Sequence, residues 1–122
     1  MKLAPRATHH IAIFSGNVSA LVRFYTETLG LPITRRWDDL GIVFVNVGST
    51  LSEFVPNPGH APHPDGMNGF DHLALQVEDV DAAFAALRAA GVTVESEPRN
   101  FKQLRIAFIR DPDGNLIELV QE

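Results

Sequence analysis

Two histidines and two glutamates have the types and the spacing to hold a metal ion. His10 and His72 each lie in a short apolar segment with strand character, and Glu53 and Glu118 each lie in the middle of another. A carboxylate in an apolar strand is costly to bury unless it is paired or coordinates a cation. The four side chains form a set of nitrogen and oxygen donors that suits a divalent first-row metal: Zn, Ni, Co, Mn or Fe.

The strands that carry the histidines must present them on one face. Successive side chains of a strand point to opposite faces, so His72 shares a face with Ala74, while Leu73 and Leu75 take the other. The segment around His10 divides in the same way. One face of each strand can therefore pack on a helix while the other carries a histidine.

Both halves of the chain repeat one order of elements: a strand, a helix and three further strands. Asn17 or Ser19 can cap the first helix and Asp79 or Asp81 the second. Both helices are followed by a glycine suited to end them. The pattern predicts strands near 8–14, 33–37, 41–47 and 50–55 with a helix over 18–29, and strands near 70–77, 92–97, 104–110 and 116–120 with a helix over 80–90.

This repetition predicts a duplication within a single domain, residues 1–122. The first module covers 8–55 and the second 70–121. Between them, 56–69 is too rich in proline and glycine for a helix or a central strand. We interpret it as a linker whose histidines, His60 and His63, are solvated.

Composition excludes several classes of function. A net charge of −5 argues against nucleic-acid binding, which normally requires a basic surface. The chain has no cysteine, so disulfides, thiolate metal sites and cysteine nucleophiles are excluded. No run of about 18 apolar residues occurs, so we expect no membrane span and a soluble cytoplasmic protein.

Four motifs connect the chain to a known family: His10–Ile13, Arg23–Tyr25 with Leu29–Leu31, Asp71–Leu75 and Asp111–Leu119. With them, residues from about 8 to 121 resemble the vicinal oxygen chelate superfamily, which includes glyoxalase I, methylmalonyl-CoA epimerase, fosfomycin and bleomycin resistance proteins, and extradiol dioxygenases. The resemblance implies an α+β fold of two tandem βαβββ modules, forming a cupped mixed sheet with helices on its outer face, and a homodimer.

The same resemblance implies roles for the four donors. His10, Glu53, His72 and Glu118 stand at the four ligand positions of the glyoxalase-like isomerases. The expected function is a metal-dependent lyase or isomerase that acts on a small substrate with vicinal oxygens through a metal-stabilised enediolate. Glu118 or Glu53 would be the catalytic base, and the pseudo-symmetry leaves both open.

Two alternatives use the same fold. One is an extradiol-type dioxygenase, in which iron would be bound by His10 or His72 with Glu118. The other is a binding protein of bleomycin-resistance type, which sequesters a small molecule without chemistry. Four filled ligand positions favour the isomerase, because the dioxygenases use three protein ligands and a pure binder needs none.

Four residues outside the donor set are candidates for substrate binding: Phe14, Trp37, Asn57 and Phe101. Trp37 and Phe101 could line an apolar pocket, and Asn57 resembles an asparagine that contacts glutathione in glyoxalase I. Phe14 stands where glyoxalase I has a substrate-binding arginine, and 99–103 replaces its glycine-rich loop. Both departures argue against a strict glutathione-dependent glyoxalase.

Overall fold

The computed structural model describes residues 1–57 and 70–122, in two compact units, Met1–His60 and Ala61–Glu122. Each unit holds one four-stranded mixed sheet and one helical region, which confirms the α+β fold with two βαβββ modules. That the two sheets join into one cupped surface stays a prediction. The elements are β1 His10–Ser15, α1 Val18–Arg23, a π-helical segment Phe24–Thr28, β2 Ile33–Trp37, β3 Ile42–Asn46, β4 Leu51–Pro56, β5 His72–Gln76, α2 Val80–Ala89, β6 Thr93–Phe101, β7 Leu104–Arg110 and β8 Leu116–Gln121.

In the first unit the strand order is β1-β4-β3-β2, with β1 parallel to β4 and the other pairs antiparallel. One face of this sheet packs on the helical region. Leu21, Val45 and Phe54 are fully buried there, and the ring of Tyr25 lies 4.9 Å from that of Phe54. The other face is left to carry the polar donors.

The first helical region departs from the predicted single helix. Asn17 caps α1 as predicted, accepting a hydrogen bond from the Ala20 amide. After Arg23 the turns widen, and the Leu29 amide donates to the Phe24 carbonyl five residues back. Phe24 and Tyr25, in the first turn of this segment, are both buried.

The second unit repeats the arrangement, with the order β5-β8-β7-β6 and β5 parallel to β8. Asp79 caps α2 by accepting from the Ala82 amide. Gly91 follows the helix with φ +84°, the left-handed conformation that its predicted role as terminator requires. Val80 and Phe84 pack among the buried residues of this unit.

Two predicted boundaries were wrong. Strand β4 includes Pro56, which was assigned to the linker, and β6 continues through Phe101 instead of ending near Glu97. The register of β6 shifts between Ser96 and Arg99, so the strand passes Pro98 at a bulge, where a residue without an amide hydrogen is tolerated. The predicted loop is therefore mostly strand.

Residues 58–69, with His60 and His63, lie outside the described residues. In the part of the chain that is described, no helix is long and apolar enough to cross a membrane. The cytoplasmic location and the single domain remain predictions.

Candidate metal centre

In the first unit, His10 and Glu53 lie side by side on the face away from the helix. Their strands are parallel neighbours, and the register sets Ala12 beside Glu53. The small side chain of Ala12 leaves room for the imidazole of His10, two residues earlier on the same face of β1. Nε2 of His10 lies 3.3 Å from Oε2 of Glu53. The glutamate side chain is only 15% exposed, and the histidine 38%.

The second unit builds the same pair from the same pieces. The register sets Ala74 beside Glu118, and Nε2 of His72 lies 3.5 Å from Oε1 of Glu118. The glutamate side chain is 16% exposed and the histidine 34%. The repetition predicted from sequence therefore extends to the geometry of the donor pairs.

Each pair rests against a phenylalanine on the next strand. Phe44 lies opposite Glu53 and Phe108 opposite Glu118. The His10 and His72 rings meet these phenylalanines edge to face, with centroids 5.9 and 5.6 Å apart. Such contacts fix the plane of the imidazole.

The second ring nitrogen of each histidine is also engaged. Nδ1 of His72 donates to the Asp71 carboxylate at 2.8 Å, and Nδ1 of His10 shares a hydrogen with Nδ1 of His9, also at 2.8 Å. A hydrogen bond at Nδ1 directs Nε2 toward the glutamate, and such outer partners orient metal-binding histidines in many proteins. The two units differ here, because one partner is an anion and the other an imidazole.

Each pair fits a metal ion in chemistry and spacing. Two atoms bound to one ion at about 2.0–2.2 Å lie about 3.0–3.6 Å apart, which includes both Nε2–Oε distances. Two donors alone hold an ion weakly. Among residues 1–57 and 70–122, no three His, Asp or Glu side chains gather as a metal-binding group. The structure thus brings the four predicted ligands together as two pairs, His10 with Glu53 and His72 with Glu118.

The predicted substrate residues fall in four different settings. Phe14 lies on the same face of β1 as His10 and is 68% exposed. Trp37 ends β2 with its ring 5.0 Å from that of Phe44, beside the donor pair. Asn57 extends the β1–β4 ladder through its amide, which donates to the Ser15 carbonyl. Phe101 ends β6, half exposed, and contacts Arg99.

Three residues next to the donors were missed as site residues. Phe108 could have been found from the last hairpin, because pairing Arg110 with Leu116 across its turn sets Phe108 opposite Glu118. Asp71 was noted only as part of a motif. Arg35 lies opposite Phe44 on the donor face, and it is not among the residues predicted from sequence.

Comparisons with known proteins identify relatives of the chain and of its fold. The model of the Glyoxalase/Bleomycin resistance protein/Dioxygenase superfamily matches residues 7–119. A "Probable lactoylglutathione lyase" of Vibrio parahaemolyticus is 33% identical, with 92% of this chain and 88% of that protein aligned. One of the same name from Synechocystis is 34% identical over 92% of both chains. A solved glyoxalase family protein from Enterococcus faecalis matches with a TM-score of 0.79 and 28% identity, covering 94% of this chain and 97% of that one.

Proposed function

The chain belongs to the glyoxalase/bleomycin resistance protein/dioxygenase superfamily, and from this premise we propose that it is a metal-dependent lyase or isomerase of glyoxalase type. Its substrate is a small molecule with two neighbouring oxygens. The relatives named as probable lactoylglutathione lyases make methylglyoxal with glutathione the first substrates to test. A homodimer and a cytoplasmic location belong to the same proposal.

One observation carries the proposal: the same His–Glu pair stands at the same sheet position in both modules. Burying most of a carboxylate costs free energy unless a partner offsets it. Each glutamate has one imidazole nitrogen beside it, at 3.3 Å for Glu53 and 3.5 Å for Glu118. A bound cation offsets this cost for both glutamates.

We propose that His10, Glu53, His72 and Glu118 hold the ion together, as pairs from one chain or from two copies. When bound, a divalent ion would supply a Lewis acid for two neighbouring oxygens of the substrate. The four donors come from rigid strands, which suits precise placement. Asp71 and His9 keep the Nε2 atoms turned toward the site.

A glutamate carboxylate is the group that moves the proton. It accepts a proton from the carbon beside the carbonyl and returns it to the neighbouring carbon. Glu53 and Glu118 have nearly equal exposure, so the structure gives neither an advantage. Within each unit a phenylalanine, Phe44 or Phe108, adds an apolar surface beside the histidine of that unit.

Metal analysis combined with a conversion assay tests the proposal. The protein is purified, loaded in turn with Zn, Ni, Co, Mn and Fe, and mixed with methylglyoxal and glutathione, with product followed by NMR. We expect conversion with at least one metal, and loss of at least 100-fold in kcat in Glu118→Gln or Glu53→Gln. Glu78→Gln, an exposed glutamate away from both pairs, is the control.

Failure to bind stoichiometric metal under any loading would refute the proposal and favour a binding protein. Metal binding with ring cleavage of a catechol, and no isomerase activity, would favour the dioxygenase.

A further inference from the structure

The donor face of the first unit carries a guanidinium held by two aromatic rings. Arg35 lies opposite Phe44 in the β2–β3 register, and Phe44 lies opposite Glu53 in the β3–β4 register. Its Cζ is 5.5 Å from the centroid of Phe44 and 5.8 Å from that of Trp37. Both distances are within the roughly 6 Å at which a cation is attracted to an aromatic face.

The N–H donors of Arg35 are available to a ligand. The residue is exposed, and none of these donors forms a hydrogen bond within residues 1–57 and 70–122. Within 1–57 and 70–122, Arg35 forms no ion pair, whereas Arg88, Arg105 and Arg110 each bind a carboxylate. Arg35 is thus a pre-oriented cation without an anion among the described residues.

The guanidinium is one aromatic ring away from the donor pair. The Phe44 ring contacts Arg35 on one side and the His10 ring, at 5.9 Å, on the other. Arg35 is two strands from Glu53, roughly 10 Å along the sheet at about 4.8 Å per strand. A ligand of a few carbon atoms can reach both groups.

The second unit has no cation in the matching row of its sheet. The matching row across its sheet runs from Ala74 through Glu118 and Phe108 to Ser96. The rows agree in the small residue, the glutamate and the phenylalanine, and differ at the fourth position. A positive charge in this row is therefore found in the first unit alone of the described residues, whereas Arg99 of the second unit contacts Phe101 on another row.

We propose that Arg35 is a specificity-determining residue that binds an anionic oxygen group, a carboxylate or a phosphate, of the ligand whose other end reaches His10 and Glu53. That this ligand is the substrate rests on the proposed function, whereas the anion site itself does not depend on a metal. The substrate class becomes a small anion with two neighbouring oxygens at its far end.

Trp37, the only tryptophan of the chain, reports on this site directly. Metal-free protein is titrated with inorganic phosphate or with succinate at constant ionic strength, and Trp37 fluorescence is recorded with calorimetry as a second readout. Wild type is expected to bind at least one anion saturably. Arg35→Gln weakens binding about tenfold or more, because a charge-assisted bidentate contact is lost.

Arg36→Gln is the matched control, since Arg36 has the same charge on the same strand but lies opposite Val43, on the other face. It is expected to bind like wild type. Arg35→Lys keeps the charge without the planar fork and is expected to bind more weakly than wild type. If wild type binds one of the two anions more tightly than the other, the preference would support the proposal and identify the anionic group as a phosphate or a carboxylate.

Saturable binding that survives unchanged in Arg35→Gln would overturn the proposal, as would equal weakening in Arg35→Gln and Arg36→Gln or no binding by wild type. A protein that binds anions through Arg35 but converts no substrate with any metal would refute only the proposed function.

Discussion

The asymmetry between the histidines lies in their outer partners, an ionised carboxylate for His72 and an imidazole for His10. An anion at Nδ1 raises the basicity of Nε2 and fixes the ring. Asp71→Asn is therefore expected to weaken metal binding about 10- to 100-fold, measured by competition with a coloured chelator. Asp38→Asn, an exposed aspartate in a turn, is the control, and unchanged affinity in Asp71→Asn would show that the contact does not orient the ligand.

At the residue scale, the sequence identified the donor pairs because charge in an apolar strand is conspicuous. It was less informative about their neighbours. Phe108 and Phe44 look like ordinary core residues, and only strand register distinguishes the face they occupy. Placing Arg35 on the donor face also depends on strand register. The register of β2 against β3 follows only once the turn at 38–41 is known.

At the scale of elements, β1 and β4 contain two buried serines that differ in one respect. The Ser15 hydroxyl accepts a hydrogen bond from the Asn17 amide, whereas that of Ser52 has no partner among the described residues. Ser52→Ala should raise the free energy of unfolding by about 1 kcal/mol and Ser15→Ala should lower it by about as much. Urea unfolding measures both, and equal effects of the two substitutions would contradict this account.

Helix α2 is tied to β7 by a charged contact. Arg105 donates two hydrogen bonds to the Asp81 carboxylate, and this lowers the pKa of Asp81 below its ordinary value of 3.8. Because the folded pKa is the lower one, the contact stabilises above the unfolded pKa and is lost as pH falls through the folded one. The Tm difference between wild type and Asp81→Asn should therefore shrink from pH 7 to below pH 3.8.

Arg105→Gln provides the reference for that measurement. In its background, Asp81→Asn should have a smaller effect on Tm at pH 7, since the partner is already absent. An effect of Asp81→Asn that keeps its pH dependence but is the same with and without Arg105 would assign its role to the helix terminus alone.

The elements themselves were predicted from local signals, and the errors have local causes. Caps at Asn17 and Asp79 set the helix starts correctly. The π-helical segment was missed because apolar spacing cannot distinguish it from the end of an α-helix. Strand β6 was predicted to end near 97, just before Pro98, whereas a bulge accommodates this proline on an outer strand.

At the scale of the whole molecule, duplication gave the most information. Matching spacings in the two halves predicted two βαβββ modules before any contact was known, since chance does not keep a strand, a helix and a terminating glycine in step. How the donor pairs combine could not be predicted this way. The repeated sequence describes each module by itself. It would be the same whether each donor pair forms its own site or the two pairs share one.

Metal-dependent stability separates those arrangements. An ion bound only by the folded protein raises the free energy of unfolding by about 2.7 kcal/mol at 100 times Kd. If the four donors hold one ion, Glu53→Gln and Glu118→Gln should each abolish most of the Tm rise produced by Zn or Ni, and wild type should bind one ion per four donors. Two independent sites would instead give two ions per chain, with each substitution removing one. Adding EDTA should return wild type to the metal-free Tm in either case. A Tm rise that persists when Glu53→Gln and Glu118→Gln are combined would place the ion elsewhere and remove the physical reason for the repeated pairs.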